Sequence, residues 1–122
     1  MTQLAQAPDP AAVLTRATLR AAERLNFSQR ELASLLGVSA ASLSRLVGRR
    51  RIDPQSKEGE LAALFVRVFR SLDSLVGGDE SAAQRWLRAD NVHLGGVPAE
   101  LMASVTGMVR VVDYLDALRG RL

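Results

Sequence analysis

A chain of 122 residues suffices for one compact domain or two very small helical units sharing a core. Apolar residues make up 48% and charged residues 24%, the balance of a soluble globular chain, and the absence of cysteine excludes a disulfide framework and a thiolate metal site. Apolar runs are short and broken by Arg, Asp or Gly, so no membrane span is expected, and residues 1–10 lack the basic region and apolar stretch of a signal peptide; a cytoplasmic protein is expected.

The net charge of +3 is unevenly placed. Residues 1–56 carry eight Arg against Asp9, Glu23, Glu31 and Asp53, whereas residues 57–122 carry Lys57 and seven Arg against nine acids. A basic first half beside a nearly neutral second half points to a polyanion meeting only the first. Fifteen of the sixteen basic residues are Arg, which suits forked phosphate recognition and equally a GC-rich coding bias.

In chain order, residues 1–10, with Pro8 and Pro10, read as a disordered tail. Helical periodicity begins at Ala11, with Leu14, Ala17, Ala21 and Leu25 on one face, and stops at Asn26. Ser28 is placed to cap the next helix, 29–36, with Glu31 completing a capping box, and Gly37 stops it. Ser39 caps a third helix from Ala40 to about Val47, followed by a connector holding Arg49, Arg50, Arg51 and Asp53-Pro54. Residues 57–76 form the longest helix, with Leu61, Leu64, Phe65, Val68, Leu72, Leu75 and Val76 in phase and Val66 and Phe69 widening the stripe. After Gly77-Gly78, Asp79 caps a short helix containing Trp86, expected in the core, and Leu87; residues 91–97 are irregular. Pro98 opens another short helix through Met102, and Gly107 precedes the last helix, with Met108, Val111, Val112, Leu115 and Leu118 on one face.

Between Gln29 and Leu46 the spacing is that of a DNA-reading helix-turn-helix. Ala33 is small where two helices cross, Gly37 suits a turn with positive φ, and Val38, Leu43 and Leu46 bury the inner face of the second helix. Ala40, Ala41, Ser44 and Arg45 are left on the outer face, with Arg45 able to reach a guanine bidentately. Gln29 is placed to bond a phosphate at a helix N-terminus, and Arg49, Arg50 and Arg51 to neutralise flanking backbone, although such a run also serves as a solvated loop. The expected DNA-contacting set is therefore Gln29, Ser39, Ala40, Ala41, Ser44, Arg45, Arg49, Arg50 and Arg51.

No residues form a catalytic or metal-binding set. His93 is the single histidine and has no companions at ligand or triad spacing. Asp113 and Asp116 read as the polar face of an amphipathic helix, and neither Gly77-Gly78 nor Gly95-Gly96 has the setting or the Lys of a phosphate loop. No enzyme activity and no cofactor are expected.

The segment from Asn91, N-V-H-L-G-G-V-P-A-E-L, the preceding W-L-R-A-D-N and the ending V-V-D-Y-L-D-A-L-R-G-R-L together resemble the toxin-binding domain of the Xre/MbcA/ParS family of antitoxins. Pro98 stands one residue closer to the glycines than in many such sequences. The resemblance spans about residues 10–122. It implies an all-α fold, with an Xre-like helix-turn-helix bundle at 11–54 followed by a small helical dimerisation and toxin-binding domain at 55–122. It further implies a type II antitoxin that binds operator DNA and blocks the active site of a RES-domain, NAD-degrading toxin with its C-terminal segment, about 113–122. The toxin-binding set it implies is Leu94, Gly95, Gly96, Tyr114, Leu118, Arg119, Gly120, Arg121 and Leu122. Read alone, Arg119 and Arg121 around a flexible Gly120 also fit a frayed helix end with two solvated cations. A stand-alone transcriptional regulator is the alternative reading. A homodimer or larger assembly is expected through helix 57–76 and the C-terminal domain, with Val66 or Phe69 at the contact, because the apolar circumference exceeds what one small bundle covers.

Overall fold

The computed structural model describes residue 7 and residues 9–120. Seven helices follow one another: α1 (Pro10–Arg24), α2 (Gln29–Leu36), α3 (Ala40–Gly48), α4 (Lys57–Leu75), α5 (Glu80–Arg88), α6 (Pro98–Leu101) and α7 (Val105–Gly120). The described residues hold no strand; one isolated bridge joins Asn91 and Gly96. Seven of the ten residues of the expected tail, 1–6 and 8, lie outside those described, while Asp9 caps α1 and Pro10 already belongs to it.

The first five helices start at a short oxygen-bearing side chain. Asp9, Ser28, Ser39, Ser56 and Asp79 each accept a hydrogen bond from a backbone N–H of the first turn they precede. These caps fix where each helix begins and therefore which face it turns inward.

α4 is the axis of the molecule. It packs against α1 and α2 on the N-terminal side and against α5 and α7 on the C-terminal side. Phe65 is fully buried at its centre and meets Phe27 edge to face, ring centroids 5.2 Å apart. Ala62, Val68 and Leu72 are buried along the same face. Leu61, Leu64, Leu75, Val76 and Phe69 are half-buried and pack on the core margin. Phe69 is half-buried against the chain's own core, and Val66, although it borders a groove, is only 7% exposed, so neither expected contact residue stands free on the surface of the single chain. One continuous core joins Leu25, Leu36 and Leu46 to Leu87, Met108 and Leu115.

Two local readings are revised. In α1 the buried face is Thr15, Thr18, Ala21 and Ala22, with Leu14 and Ala17 only half-buried. Threonine tolerates this burial because its hydroxyl has partners: Thr18 donates to the Leu14 carbonyl at 2.7 Å, and Thr15 donates to the Ala11 carbonyl at 2.7 Å. The Thr15 hydroxyl also accepts from the Ile52 N–H at 2.8 Å, which pins the connector and buries Ile52 completely.

The second revision concerns α7. The helix begins at Val105, so Gly107 lies in its first turn rather than before it. Ser104 accepts from the Gly107 N–H at 3.0 Å, and a Cβ on Gly107 would stand 1.8 Å from the Leu101 carbonyl oxygen. Glycine is required there by the close crossing of α6 and α7. At the other end Gly120 is still helical, the last of the described residues.

Candidate nucleic-acid and toxin interfaces

The helix-turn-helix is built as its spacing demands. Ser28 and Glu31 form a reciprocal capping box at the start of α2: the Glu31 N–H donates to the Ser28 hydroxyl, and the Ser28 N–H donates to the Glu31 carboxylate. Gly37 ends α2 at φ +70°, a conformation that strains any side chain-bearing residue. The chain then turns directly into the Ser39 cap of α3. Ala33, Leu43 and Leu46 are buried between the helices and Val38 is half-buried beside them. Gln29, Ser39, Ala40, Ala41, Ser44 and Arg45 are all exposed, so the first half presents one face of small side chains with a single long cation. The Arg45 guanidinium donates to the Ser42 hydroxyl at 3.1 Å, which draws it along the helix surface toward the N-terminus of α3. Val47 is 53% exposed at the far end of that helix.

The three connector arginines are not equivalent. Arg49 is exposed. Arg50 is half-buried and ion-paired to Glu58 on α4, and Arg51 donates to the Arg49 carbonyl at 3.1 Å. Arg50 therefore holds the connector to α4, and its expected place beside a phosphate backbone is not available while that pair is closed. Replacing Arg49 by Ala should lower the steepness with which DNA affinity falls with salt by about one contact, measured as log K against log salt. Arg50→Ala should instead lower thermal stability.

Sequence reasoning did not find Arg88, the last residue of α5. Its guanidinium pairs with Glu31, donates to the Asn26 carbonyl at 3.2 Å and lies 4.9 Å above the Phe27 ring. Gln84, one turn earlier, donates to the Arg24 carbonyl at 2.8 Å. The C-terminal half thus grips the corner between α1 and α2. No sequence period could show this, because the partners lie 57 residues apart.

Arg88 and the Ser28 N–H together hold the Glu31 carboxyl down from 4.5 to about 2. A carboxyl whose folded value is depressed stabilises the fold above its unfolded value and loses that contribution as pH falls through the folded one. The stability difference between the parent chain and Glu31→Gln should therefore be constant above about pH 5 and shrink between about 4.5 and 2. Urea midpoints for both chains across that window measure it.

In the C-terminal half, Asn91 organises the glycine loop. Its side chain accepts from the Leu94 N–H at 3.0 Å, its carbonyl accepts from Gly95 at 2.8 Å, and its own N–H donates to the Gly96 carbonyl at 2.9 Å. This explains the N-x-x-L-G-G spacing. Leu94 is 3% exposed and its carbonyl accepts from Arg110 at 2.8 Å. It anchors the loop from within and offers no surface to a partner; Gly95 is exposed and Gly96 half-buried. Trp86, half-buried and not fully in the core, stacks on Tyr114 at 6.2 Å, and His93 stacks on the same tyrosine at 6.0 Å. Leu118 packs on the core margin, Arg119 donates to the buried Ser71 hydroxyl at 3.2 Å, and Gly120 is exposed. Arg121 and Leu122 lie outside the described residues.

A glycine-turned helix pair with a small, exposed reading face, sharing one long helix with a second helical unit, defines a helix-turn-helix DNA-binding protein with an attached binding domain. The antitoxin Xre-like helix-turn-helix domain matches residues 5–67, and the antitoxin Xre/MbcA/ParS C-terminal toxin-binding domain matches residues 71–121. The chain belongs to this antitoxin family, and its parts are those of a type II antitoxin with a DNA-binding and a toxin-binding domain. No curated protein sequence matches it. Among the described residues, no helix is long and apolar enough to cross a membrane.

Proposed function

We propose that this antitoxin binds and blocks a RES-domain toxin that degrades NAD, and that it binds the operator of its own operon. The observation that carries the reading is the presence of both matched domains on one continuous core. The DNA-binding half is 11–54 and the toxin-binding half 55–122. The RES assignment rests on the family resemblance of the N-x-x-L-G-G segment and the terminal helix. The exposed face of α3 supports operator reading: three small residues allow close approach to the groove floor, and Arg45 supplies the long donor. Arg45→Ala should weaken the specific site by about 1–3 kcal/mol and relax one base position, with little change on random DNA. Toxin contact is assigned to Gly95, Gly96 and Tyr114 and to the end of α7 with the residues beyond it.

The direct test seeks a toxin reading frame beside this chain's gene and assays its purified product with NAD. The proposal predicts NAD consumption by the toxin alone and its suppression by stoichiometric antitoxin. A toxin that leaves NAD intact removes the RES assignment and leaves the antitoxin family untouched.

A further inference from the structure

A groove in two connected parts borders α3 on the side of α1. One part, of about 230 Å³, holds Gln29 at the start of α2. The other, also of about 230 Å³, holds Arg16 of α1 together with Gly48 and Arg51, and Leu19 and Val47 line both. Arg16 and Arg51 are exposed, and neither is ion-paired among the described residues. No carboxylate lines their concavity, whereas Glu23 borders the part at Gln29, and Glu31 and Glu100 share a groove with Arg30. Arg51 is held in place by donating to the Arg49 and Arg50 carbonyls, at 3.1 and 3.4 Å.

Gly48 stands between these two cations for no reason internal to the chain. It is the last residue of α3, its φ is not positive, and a Cβ there would meet nothing within 4 Å. Neither backbone nor packing calls for glycine, which is less stable in a helix than alanine. A bare backbone does allow close approach from outside. Gly48 follows Ser44 and Arg45 by four and three residues, so it continues their face of the helix. From Ala40 to Gly48 the helix rises about 12 Å, and the major groove of DNA is about 12 Å wide. A recognition helix that enters with its N-terminal end therefore brings Gly48 to the edge of the groove, where the phosphates run. We propose that Arg16, Arg51 and the uncovered backbone at Gly48 form a clamp for one phosphate of the DNA backbone. Two guanidinium groups from separate elements neutralise it, and Gly48 leaves the room in which it settles. The clamp reads no sequence: it fixes how far α3 lies along the groove, and so which base Arg45 meets. It rests on the reading of α3 as the recognition helix and is independent of any toxin.

The test is the affinity of the full chain for a short duplex of random sequence, followed against salt. Arg16→Ala and Arg51→Ala should each lower the slope of log K against log salt by up to about one. The double variant should lose less affinity than the two single losses together, because either removal opens the same clamp. Arg16→Lys should keep most of the slope, and Arg85→Ala, the same loss of charge on α5, should bind like the parent. Gly48→Leu should melt no lower than the parent and yet bind the duplex as weakly as Arg16→Ala, a combination that a structural glycine would not give. Exchanging chloride for inorganic phosphate at constant ionic strength should preserve the difference between Arg16→Ala and the parent; its loss would make this a site for the free ion and overturn the assignment to DNA. A parent chain that ignores the duplex removes DNA binding and the clamp with it. Binding by the parent with Arg16→Ala no weaker than Arg85→Ala, or with Gly48→Leu as tight as the parent, overturns the clamp and leaves the recognition helix in place.

Discussion

Phe65→Ala is expected to destabilise the DNA-binding and toxin-binding halves together. Phe65 is completely buried in α4, the helix on which both halves pack, and its ring sits against Phe27 at the start of the DNA-binding motif. Truncating a buried phenylalanine costs about 3–5 kcal/mol through lost transfer energy and the cavity left behind. Small domains are stable by only about 5–15 kcal/mol in total. Because the core runs without a break from Leu25 to Leu115, the loss should appear as one cooperative transition at lower urea, with an unchanged slope. Two separate transitions, one insensitive to the substitution, would show that the halves fold independently.

Removal of residues 120–122 is expected to have the opposite character: loss of protection against the toxin with operator binding near wild type. The deletion point follows from the structure. Leu118 packs on the core margin and Arg119 donates to the buried Ser71 hydroxyl, so trimming from Arg119 would disturb α4 as well as the free end. Gly120 is exposed at the end of α7, and ending the chain after Arg119 leaves every described core contact in place. On the proposed blocking of an NAD-binding site, replacing Arg119 and Arg121 together by Glu should weaken toxin binding by about 2–3 kcal/mol, because the reversed charges would repel a site that takes an anionic dinucleotide. A thermal melt of the same variant separates that effect from the loss of the Ser71 bond. Full protection by both variants would remove the tail from the blocking mechanism.

The helix-turn-helix was legible because its requirements are local. A cap, a capping box, a left-handed glycine and a small crossing residue all fall within Ser28 to Leu46, and each was read at its own position. The broad apolar stripe of α4 was legible for the same reason. Contacts distant in sequence escaped. Thr15 lies outside the Leu14, Ala17, Ala21 and Leu25 face read from the sequence, yet it is buried and accepts a backbone N–H that Ile52 brings from 37 residues away. Gly107 was read as preceding the last helix, and only the proximity of the Leu101 carbonyl shows why glycine is required inside its first turn. Arg50 and Arg88 were indistinguishable from other surface arginines until Glu58 and Glu31 were placed beside them. In the toxin-binding half the Asn91 loop was found by resemblance, and its hydrogen bonds now give that spacing a physical reason. Leu94 was taken for contact surface because a motif residue and a contact residue look alike in a sequence; here its side chain points inward.

Growth and cellular NAD, followed in cultures induced for a candidate toxin with and without this chain, test the proposed function most directly. NAD should fall and growth should stop when the toxin is expressed alone. Co-expression of the chain should hold both at the uninduced level, and the Arg45→Ala variant should protect as well as the parent because it alters only the DNA face. NAD that collapses equally in both cultures would contradict the account.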